Sequence, residues 1–302
     1  PMKVGIWVNI INVVLNFLLI YPTRTVALPW FDLFIPGAGM GVIGAGIASA
    51  AAYVVGGVVI TVALFRHPIV SPLGQKMTPD FSVLRPCLKV ALPNALQRFA
   101  TSFGYVVFAS MINSIGEVAT AAHTIANTVE SAFYIPGYGM QTAAATLAGN
   151  ALGAQDNKRA CKLAQMIIFV EAGLMVFSGG LLFAFAPQMM CLFSSDAEVI
   201  YLGSIVLRMV ALSEPFYGVA IIIEGMMQGM GNTVMPFIFS ITGMWGIRIV
   251  GTFLCTQLMG MGLVSAWACM IAHNMLLFGA FLVCYVTGKW NPMNRERTVK
   301  NI

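Results

Sequence analysis

Apolar residues along this chain of 302 residues occur in long runs that are separated by short polar connections. A helix needs roughly 20 mostly apolar residues to cross the hydrocarbon core of a bilayer. The runs do not alternate between apolar and polar positions, and in hydrocarbon a helix bonds all of its backbone amides within its own segment. The pattern therefore predicts an all-α, polytopic helical membrane protein with eight transmembrane helices, at 4–21, 41–65, 87–113, 119–148, 163–187, 198–227, 234–256 and 262–288.

Composition supports a membrane environment. Charged residues make up 9% of the chain and hydrophobic residues 59%, whereas charged residues make up about 25% of a typical soluble domain. The first apolar run is not followed by a small-residue cleavage site, so we interpret it as a membrane helix. The six cysteines are far apart and form no C-x-x-C pair, so the sequence indicates neither a metal cluster nor a disulfide framework.

Lysine and arginine residues are concentrated in alternate connections between the apolar runs. The connections 22–40, 114–118 and 188–197 together hold one basic residue, Arg24. The other set carries Arg66, Lys76, Arg85, Lys89, Lys158, Arg159, Lys162, Lys289, Arg295, Arg297 and Lys300. The positive-inside rule places the basic set in the cytoplasm, so we expect both termini on the cytoplasmic side of a bacterial plasma (inner) membrane. The net charge of +5 is thus a topology signal, and we expect no nucleic-acid partner.

A proline-rich connection divides the chain. We expect 1–66 to hold two helices, 67–86 to form a cytoplasmic linker, 87–288 to hold six helices, and 289–302 to form a cytoplasmic tail. A Gly-Met-Gly sequence opens a helix rich in small residues twice, at Gly39 to Gly41 and at Gly260 to Gly262. Repeats of this kind, related by an axis along the membrane normal, are typical of transporters.

Polar residues within the apolar runs are the candidates for function, because such side chains are costly at membrane depth. His123, Asn127, Glu130 and Tyr134 are four, three and four residues apart, which places them on one face of a helix. Glu130 and a second deep carboxylate, Glu224, must each pair with a cation or bind a proton. The alternative interpretation is that such polar residues only form hydrogen bonds between helices.

Other deep polar residues complete the candidate cavity. We expect a substrate and proton cavity formed by Gln97, Thr101, His123, Asn127, Glu130, Tyr134, Tyr217, Glu224 and Arg248. Arg98, Arg208 and Arg248 could neutralise the carboxylates. We interpret His123 as a buried structural donor rather than a metal ligand, and Glu171 as structural. No metal and no organic cofactor are expected.

The stretch from Gly37 to Gly46 contains G-x-G-x-x-G at Gly39, Gly41 and Gly44. A dinucleotide site also requires an acidic residue about 20 positions later, but the next one is Asp80. Small residues four apart, such as Gly44 and Ala48, instead predict close packing between helices. Such packing would bring Ser49 towards Asn12 and Asn16.

Several stretches resemble the multidrug and toxic compound extrusion (MATE) transporters: NIINVVLN, GVIGAGIAS, VALPNALQ, AAHTIANTVESAFYIPGYGMQTAAATLAGNALGA, EGMMQGMGNT and MWGIRIVGTF. The resemblance identifies the eight runs as helices five to twelve of a two-lobe, twelve-helix fold. We therefore expect an incomplete N-lobe and a chain that is a fragment. The resemblance implies a secondary antiporter that exports amphipathic or cationic compounds in exchange for Na⁺ or H⁺ by rocker-switch alternating access.

The resemblance also suggests site residues. It places an N-lobe cation-coupling site at Asn12, Asn16 and Ser49, although Asn16 stands where the family has an Asp. The resemblance places acidic residues that some members carry in the C-lobe near Thr101 and near Phe216 or Tyr217, none of which is acidic here, so Glu130 and Glu224 are our proposed substitutes. We expect a small-molecule substrate, a lipid bilayer and a monomer.

Two other classes of function can be compared with this one. A lipid-linked oligosaccharide flippase of the same superfamily would favour a cavity dense in Arg and Lys, whereas only Arg98, Arg208 and Arg248 lie deep in the runs. A membrane-embedded enzyme is not indicated, because the sequence has no H-E-x-x-H, no G-x-S-x-G and no acidic pair at metal-ligand spacing.

Overall fold

A computed structural model describes residues 2–27, 32–67, 71–74 and 80–294. Within these ranges the chain forms nine helices. They are α1 (Met2–Ile20), α2 (Gly41–Phe65), α3 (Phe81–Asn113), α4 (Glu117–Gly153), α5 (Asn157–Cys191), α6 (Ala197–Ala211), α7 (Glu214–Gly229), α8 (Val234–Leu258) and α9 (Leu263–Val286). Parts of the predicted linker 67–86 and tail 289–302 lie outside the described residues, while 81–86 belong to α3.

Five of the described helices are long and apolar enough to cross a membrane: α1, α2, α5, α8 and α9. The pair α6 and α7 counts as a sixth span if it is treated as one broken helix with a bend of 54°. The helices α3 and α4 overlap predicted spans but fall outside this set, since polar side chains along them reduce their hydropathy. The structure therefore supports a multi-pass helical protein, and the count of eight spans stays a prediction.

A β-hairpin corrects the prediction of an all-α chain. Strand β1 (Pro22–Ala27) pairs antiparallel with β2 (Asp32–Ala38), with Thr25 opposite Phe34, and the register is irregular between Pro22 and Arg24. From the sequence, 22–40 is expected only to connect two membrane helices. Thr, Val and Phe, which favour strands, are nevertheless common in this segment, and the hairpin satisfies backbone groups that a loop would leave to water.

The first of two compact units covers 1–79 and contains α1, the hairpin and α2. Helix α2 buries Gly44, Ala48, Ala52 and Gly56, which are four residues apart. A Cβ atom on Gly44 would lie 2.6 Å from the carbonyl oxygen of Leu19, so only glycine allows α1 to approach this closely. The predicted packing of small residues is confirmed at Gly44 and Ala48.

The second unit covers 80–302. Helix α4 packs against α5 and α7, and one apolar core surrounds Phe108, Leu207 and Trp267. A second core surrounds Met226 and Phe281. Asp80, Asp156 and Asp196 cap the starts of α3, α5 and α6 with side-chain hydrogen bonds, which satisfies backbone amides that a helix leaves open.

Two helices of the second unit depart from regular α geometry. Helix α6 ends at Ala211 and α7 begins at Glu214 with Pro215 in its first turn, where the missing N–H of proline is tolerated. Helix α8 contains the π-helical stretches Thr242–Ile249 and Phe253–Leu258. Such stretches are often found at functional sites, and the first one carries Arg248.

Both copies of the Gly-Met-Gly sequence lie at the start of a helix. Gly39 and Gly41 have φ angles of 64° and 55° before and at the start of α2, and Gly260 has a φ of 64° before α9. Glycine adopts such positive angles at little cost. The first glycine of each copy therefore makes a similar left-handed turn, whereas the second glycines differ from each other, since Gly262 has a φ of −81°.

Candidate functional site

Three polar residues meet between α1 and α2 in the first unit. The side-chain amide of Asn12 donates a hydrogen bond to the hydroxyl oxygen of Ser49 at 3.2 Å. Asn16 donates to the amide oxygen of Asn12 at 3.0 Å, and its own side-chain oxygen is buried without a partner among the described residues. The structure thus brings together all three residues of the predicted N-lobe site. Their oxygens are neutral.

A polar cavity of about 250 Å³ lies among α3, α4, α7, α8 and α9 of the second unit. Four of the predicted cavity residues line it: Gln97, Thr101, Tyr217 and Glu224. The lining also includes Asn94, Arg98, Ser102, Tyr105, Tyr138, Gln141, Gln228, Ser240 and His273. We call this space the Glu224 cavity.

Glu224 is the acceptor for two side-chain amides in this cavity. Gln97 on α3 donates to its Oε1 at 2.6 Å, and Gln228, one turn further along α7, donates to the same atom at 3.0 Å. Gln97 also donates to the hydroxyl of Ser240 on α8 at 2.8 Å. The charge of Arg98 attracts Glu224 as well. One carboxylate thus connects α3 and α7, and Gln97 extends this network to α8.

The other five predicted residues lie around neighbouring spaces. A cavity of about 410 Å³ is lined by His123, Asn127, Tyr134 and Arg248, and a small pocket beside it adds Glu130 and Tyr217. Tyr105 lines all three spaces. The predicted residues therefore form two adjoining groups, one around Glu224 and one around Glu130 and Arg248, which meet at Tyr105 and Tyr217.

Arg248 is buried between aromatic rings. Its guanidinium carbon lies 4.2 Å from the ring centre of Phe108 and 4.8 Å from that of Tyr105, and one of its nitrogens contacts the sulfur of Met270 at 2.9 Å. Its charge also attracts Glu130. Cation–π contacts of this kind stabilise a guanidinium that is removed from water.

His123 packs as an aromatic ring. It makes edge-to-face contacts with Phe108 and Trp267 at centroid distances of 5.6 and 5.8 Å, and its Nδ1 is buried without a hydrogen-bond partner among the described residues. The role of His123 as a buried hydrogen-bond donor therefore stays a prediction.

Several residues of these cavities were not in the predicted set. Tyr105 and Tyr138 were overlooked because aromatic residues are common on lipid-facing surfaces. His273 and Asn274 form an adjacent polar pair in the middle of the last apolar run, and the rule that polar side chains are costly at membrane depth could have found them. Tyr138 lies 3.3 Å from Tyr217, oxygen to oxygen.

Long apolar helices that enclose polar cavities define a multi-pass membrane protein with the architecture of a transporter. The sequence model of the MatE family matches residues 93–254, which is more than half of the chain. The chain therefore belongs to the multidrug and toxic compound extrusion (MATE) family of transporters, and the predicted resemblance is confirmed.

Individual relatives agree with this assignment. The chain is 27% identical over 261 residues to the probable multidrug resistance protein NorM of Thermotoga maritima, a match that covers 85% of this chain and 56% of that protein. Its fold resembles a MATE protein crystallised in complex with MaD3S, with a TM-score of 0.82, 21% identity, and coverage of 97% of this chain and 62% of that one.

A transporter of the MOP superfamily from Pyrococcus furiosus gives a similar match, with a TM-score of 0.80 and 23% identity. That match covers 97% of this chain and 63% of the other. At these identities the solved structures establish the fold alone. The chain spans about half the length of the curated relatives that it matches, from 40% to 56%.

Proposed function

We propose that the full-length protein is a secondary active antiporter that exports amphipathic, cationic organic compounds in exchange for Na⁺ or H⁺. The observation that carries this proposal is the carboxylate of Glu224 in a cavity that also holds Tyr105, Tyr138 and Tyr217. A carboxylate away from bulk water attracts a cation strongly, and aromatic faces add cation–π attraction. The relatives named as multidrug resistance proteins support the same class of substrate.

Exchange of the substrate for the coupling ion follows if both cations bind to the same carboxylate. An organic cation and the coupling ion both gain from contact with Glu224 or Glu130, and they cannot occupy one carboxylate at the same time. Binding of Na⁺ or H⁺ from outside the cell would then release the substrate there. Binding of the substrate from the cytoplasm would release the Na⁺ or H⁺ inside. Alternating access by rocking of the two lobes would connect these events.

The first unit would take a different part in coupling. Asn12, Asn16 and Ser49 offer neutral oxygens, which can ligate Na⁺ but cannot exchange a proton near neutral pH. A coupling role for these three residues therefore requires Na⁺, whereas Glu130 and Glu224 allow either ion. We further propose a monomer in the bacterial plasma membrane with cytoplasmic termini, and no enzymatic activity.

The lining of the Glu224 cavity supports an antiporter over a flippase for lipid-linked oligosaccharides, because it holds few basic side chains. A pyrophosphate group would require several Lys or Arg side chains in the lining. The described lining contains one such side chain, Arg98, and its charge interacts with Glu224.

Transport by the reconstituted full-length protein tests the proposal. Vesicles containing the protein would be loaded with ethidium, an amphipathic organic cation, and its movement would be followed while a pH or sodium gradient is imposed. Glu224→Gln and Glu130→Gln should reduce gradient-driven movement, because each replaces a carboxylate with a neutral group of similar shape. Glu198→Gln is the matched control, since Glu198 is exposed at the start of α6.

The same assay tests the coupling groups and distinguishes the antiporter from the flippase. If both leave ethidium movement and its response to the gradients intact, the proposed coupling groups are wrong. If the unmodified protein moves no organic cation but transfers a lipid-linked oligosaccharide between leaflets, the flippase function replaces the antiporter.

A further inference from the structure

A third carboxylate of the second unit lies apart from both groups described above. Glu171, near the middle of α5, is completely shielded from solvent. Neither of its two carboxylate oxygens has a hydrogen-bond partner among the described residues. Because burial of an unpaired charge is very costly, the state of this group needs a physical explanation.

The carboxylate of Glu171 occupies a slot that glycines on two other helices leave open. A Cβ atom on Gly137 of α4 would lie 2.6 Å from Glu171 Oε1, and one on Gly218 of α7 would lie 3.3 Å from the same atom. The side chain of Ile221 and that of Met175 complete the wall near Gly137. Any larger residue at Gly137 would displace the carboxyl group, so the space matches this one side chain.

The slot lies where the neighbouring helices are irregular. Gly137 follows Pro136, which removes one hydrogen bond from the interior of α4. The hydroxyl of Ser178 on α5 donates to the carbonyl oxygen of Phe133, also on α4, at 2.9 Å. On the other side, the break between α6 and α7 precedes Glu214, whose side chain is 2% exposed and has one oxygen without a partner among the described residues.

The charges around Glu171 are mostly negative. Helix α5 packs against α4, α6 and α7. From α7, Glu214 is close enough to repel both Glu171 and Glu130 of α4. Tyr134 of α4 also interacts with Glu130 and Glu214.

The basic side chains of the described helices α5, α6 and α8 do not contact Glu171 but lie near other groups. Arg208 of α6 lies over the ring of Phe183 and bonds its carbonyl oxygen, and Arg248 of α8 attracts Glu130. The basic residue of α5 closest to Glu171 along the chain is Lys162, which is about 13 Å away along the helix axis. These basic side chains do not pair with Glu171, so a bound cation must neutralise its carboxylate.

A proton fits the slot better than a metal ion does. Hard cations are held by several oxygen ligands, whereas the slot is walled by glycine Cα atoms, a methionine and an isoleucine. A proton forms an O–H bond to one carboxylate oxygen, changes the charge of the group from −1 to 0, and needs no further ligand.

We propose that Glu171 is a proton-binding site, distinct from the Glu224 cavity, and that binding and release of this proton accompany a movement of α5 relative to the start of α7 during transport. Release of the proton creates an unpaired charge in the slot, next to Glu214. Water can stabilise that charge only if it reaches the slot, which requires α5 and the start of α7 to separate. The part of this inference that concerns transport rests on the proposed antiport function and assigns H⁺ as a coupling ion.

Covalent labelling tests proton binding without relying on transport. Dicyclohexylcarbodiimide adds to a protonated carboxyl group in an apolar site and leaves a stable acylurea. The full-length protein in lipid vesicles would be labelled over a pH series and the modified residues identified by mass spectrometry. We expect labelling of Glu171 to fall by about tenfold per pH unit above the midpoint of its titration. Glu198, an exposed carboxylate, should show little stable label.

Two results would overturn the proton site. Labelling of Glu171 that does not depend on pH but is abolished by sodium would assign a metal ion to the slot. Met175→Ala widens the slot and gives the reagent room beside Glu171. Absence of label at Glu171 at every pH in both the unmodified protein and this variant, while Glu130 or Glu224 is labelled, would show that the group carries no exchangeable proton.

Transport by a neutral variant tests the link to function. Glu171→Gln keeps the shape of the protonated acid, so it should fold as the unmodified protein does on size-exclusion chromatography. We expect it to lose at least tenfold in ethidium movement driven by a pH gradient while it still binds ethidium. Unchanged pH-driven movement in this variant would contradict the link. If the unmodified protein moves no ethidium but keeps pH-dependent labelling of Glu171, the antiport function fails and the proton site stands.

Discussion

Gln97 on α3 and Glu224 on α7 are 127 residues apart in sequence and are joined by a hydrogen bond of 2.6 Å from the side-chain amide to the carboxylate. This contact fixes the orientation of the one carboxylate in the cavity of about 250 Å³. It also links two helices that otherwise make few direct contacts, because α3 packs mainly against α8. A carboxylate held in this way is ordered before any ligand binds.

Removal of the amide at Gln97 should destabilise the second unit. Gln97→Leu eliminates the hydrogen bonds to Glu224 and Ser240, and a lost bond to a buried charged group costs about 1–3 kcal/mol. Gln228→Leu removes one longer bond and should cost less. Thermal unfolding in detergent measures both effects. Equal melting temperatures for Gln97→Leu and the unmodified protein would contradict the importance of this contact.

Close packing of α1 on α2 can be tested with a matched pair of glycines. Gly44→Ala places a Cβ 2.6 Å from the backbone oxygen of Leu19, and forced overpacking costs about 1–3 kcal/mol. Gly46→Ala, on the same helix, meets no atom within 4 Å and should be neutral or stabilising, since alanine favours helix. Gly44→Ala should therefore melt below the unmodified protein, and Gly46→Ala at or above the melting temperature of the unmodified protein. A similar response of both would show that α1 does not approach Gly44 closely.

Replacing the stacked guanidinium of Arg248 with an ammonium group should lower the stability of the folded protein. Arg248→Lys keeps the charge but loses the planar contacts with Phe108 and Tyr105, which are worth about 1–2 kcal/mol at a buried site. Arg208→Lys is the control, because Arg208 is exposed and its guanidinium lies 5.8 Å from the nearest ring centre. Melting temperature is again the readout. A larger loss in the control than in Arg248→Lys would contradict the account of this site.

Asp80 at the start of α3 gives a prediction for pH dependence. Hydrogen bonds from the side chain and backbone of Ser82 hold the pKa of Asp80 below its ordinary value of 3.8. A lowered pKa in the folded state means that the cap stabilises α3 above pH 3.8 and that this stabilisation is lost as the pH falls through the folded pKa. Asp80→Ala should therefore lower the melting temperature at pH 7 and change it less at pH 3.

The matched variant at this position is Asp80→Asn, which keeps an acceptor oxygen but does not titrate. It should retain more of the stability at pH 7 than Asp80→Ala does, since Asn is also a good N-cap residue. If the effect of Asp80→Ala is the same at pH 7 and pH 3, ionisation of Asp80 does not contribute to the cap.

The helices and their polar faces could largely be predicted from the sequence. Apolar runs located α1 and α2 within a few residues, and the spacing of Asn127, Glu130 and Tyr134 placed them correctly on one face of α4. Helical periodicity is a local property, so it can be recognised in a single segment. The break between α6 and α7 could not be predicted from proline alone, because α3, α4 and α5 continue through Pro93, Pro136 and Pro187.

Other features depend on contacts that a single segment does not contain. The complete burial of Glu171 was not predicted, because α5 was expected to begin at residue 163, whereas it begins at Asn157 after the cap of Asp156. The roles of Tyr105 and Tyr138 depend on which helix faces meet. The π-helical stretches of α8 shift the hydrogen bonds by one residue, which hardly alters the pattern of apolar positions.

Binding of an organic cation to the full-length protein tests the central claim most directly. Isothermal titration with tetraphenylphosphonium would compare the unmodified protein with Glu224→Gln and with the control Glu198→Gln. We predict that Glu224→Gln weakens binding by tenfold or more, about 1.4 kcal/mol or above, while Glu198→Gln leaves the affinity unchanged. Equal affinity in Glu224→Gln and the unmodified protein would contradict the assignment of the Glu224 cavity as the substrate site.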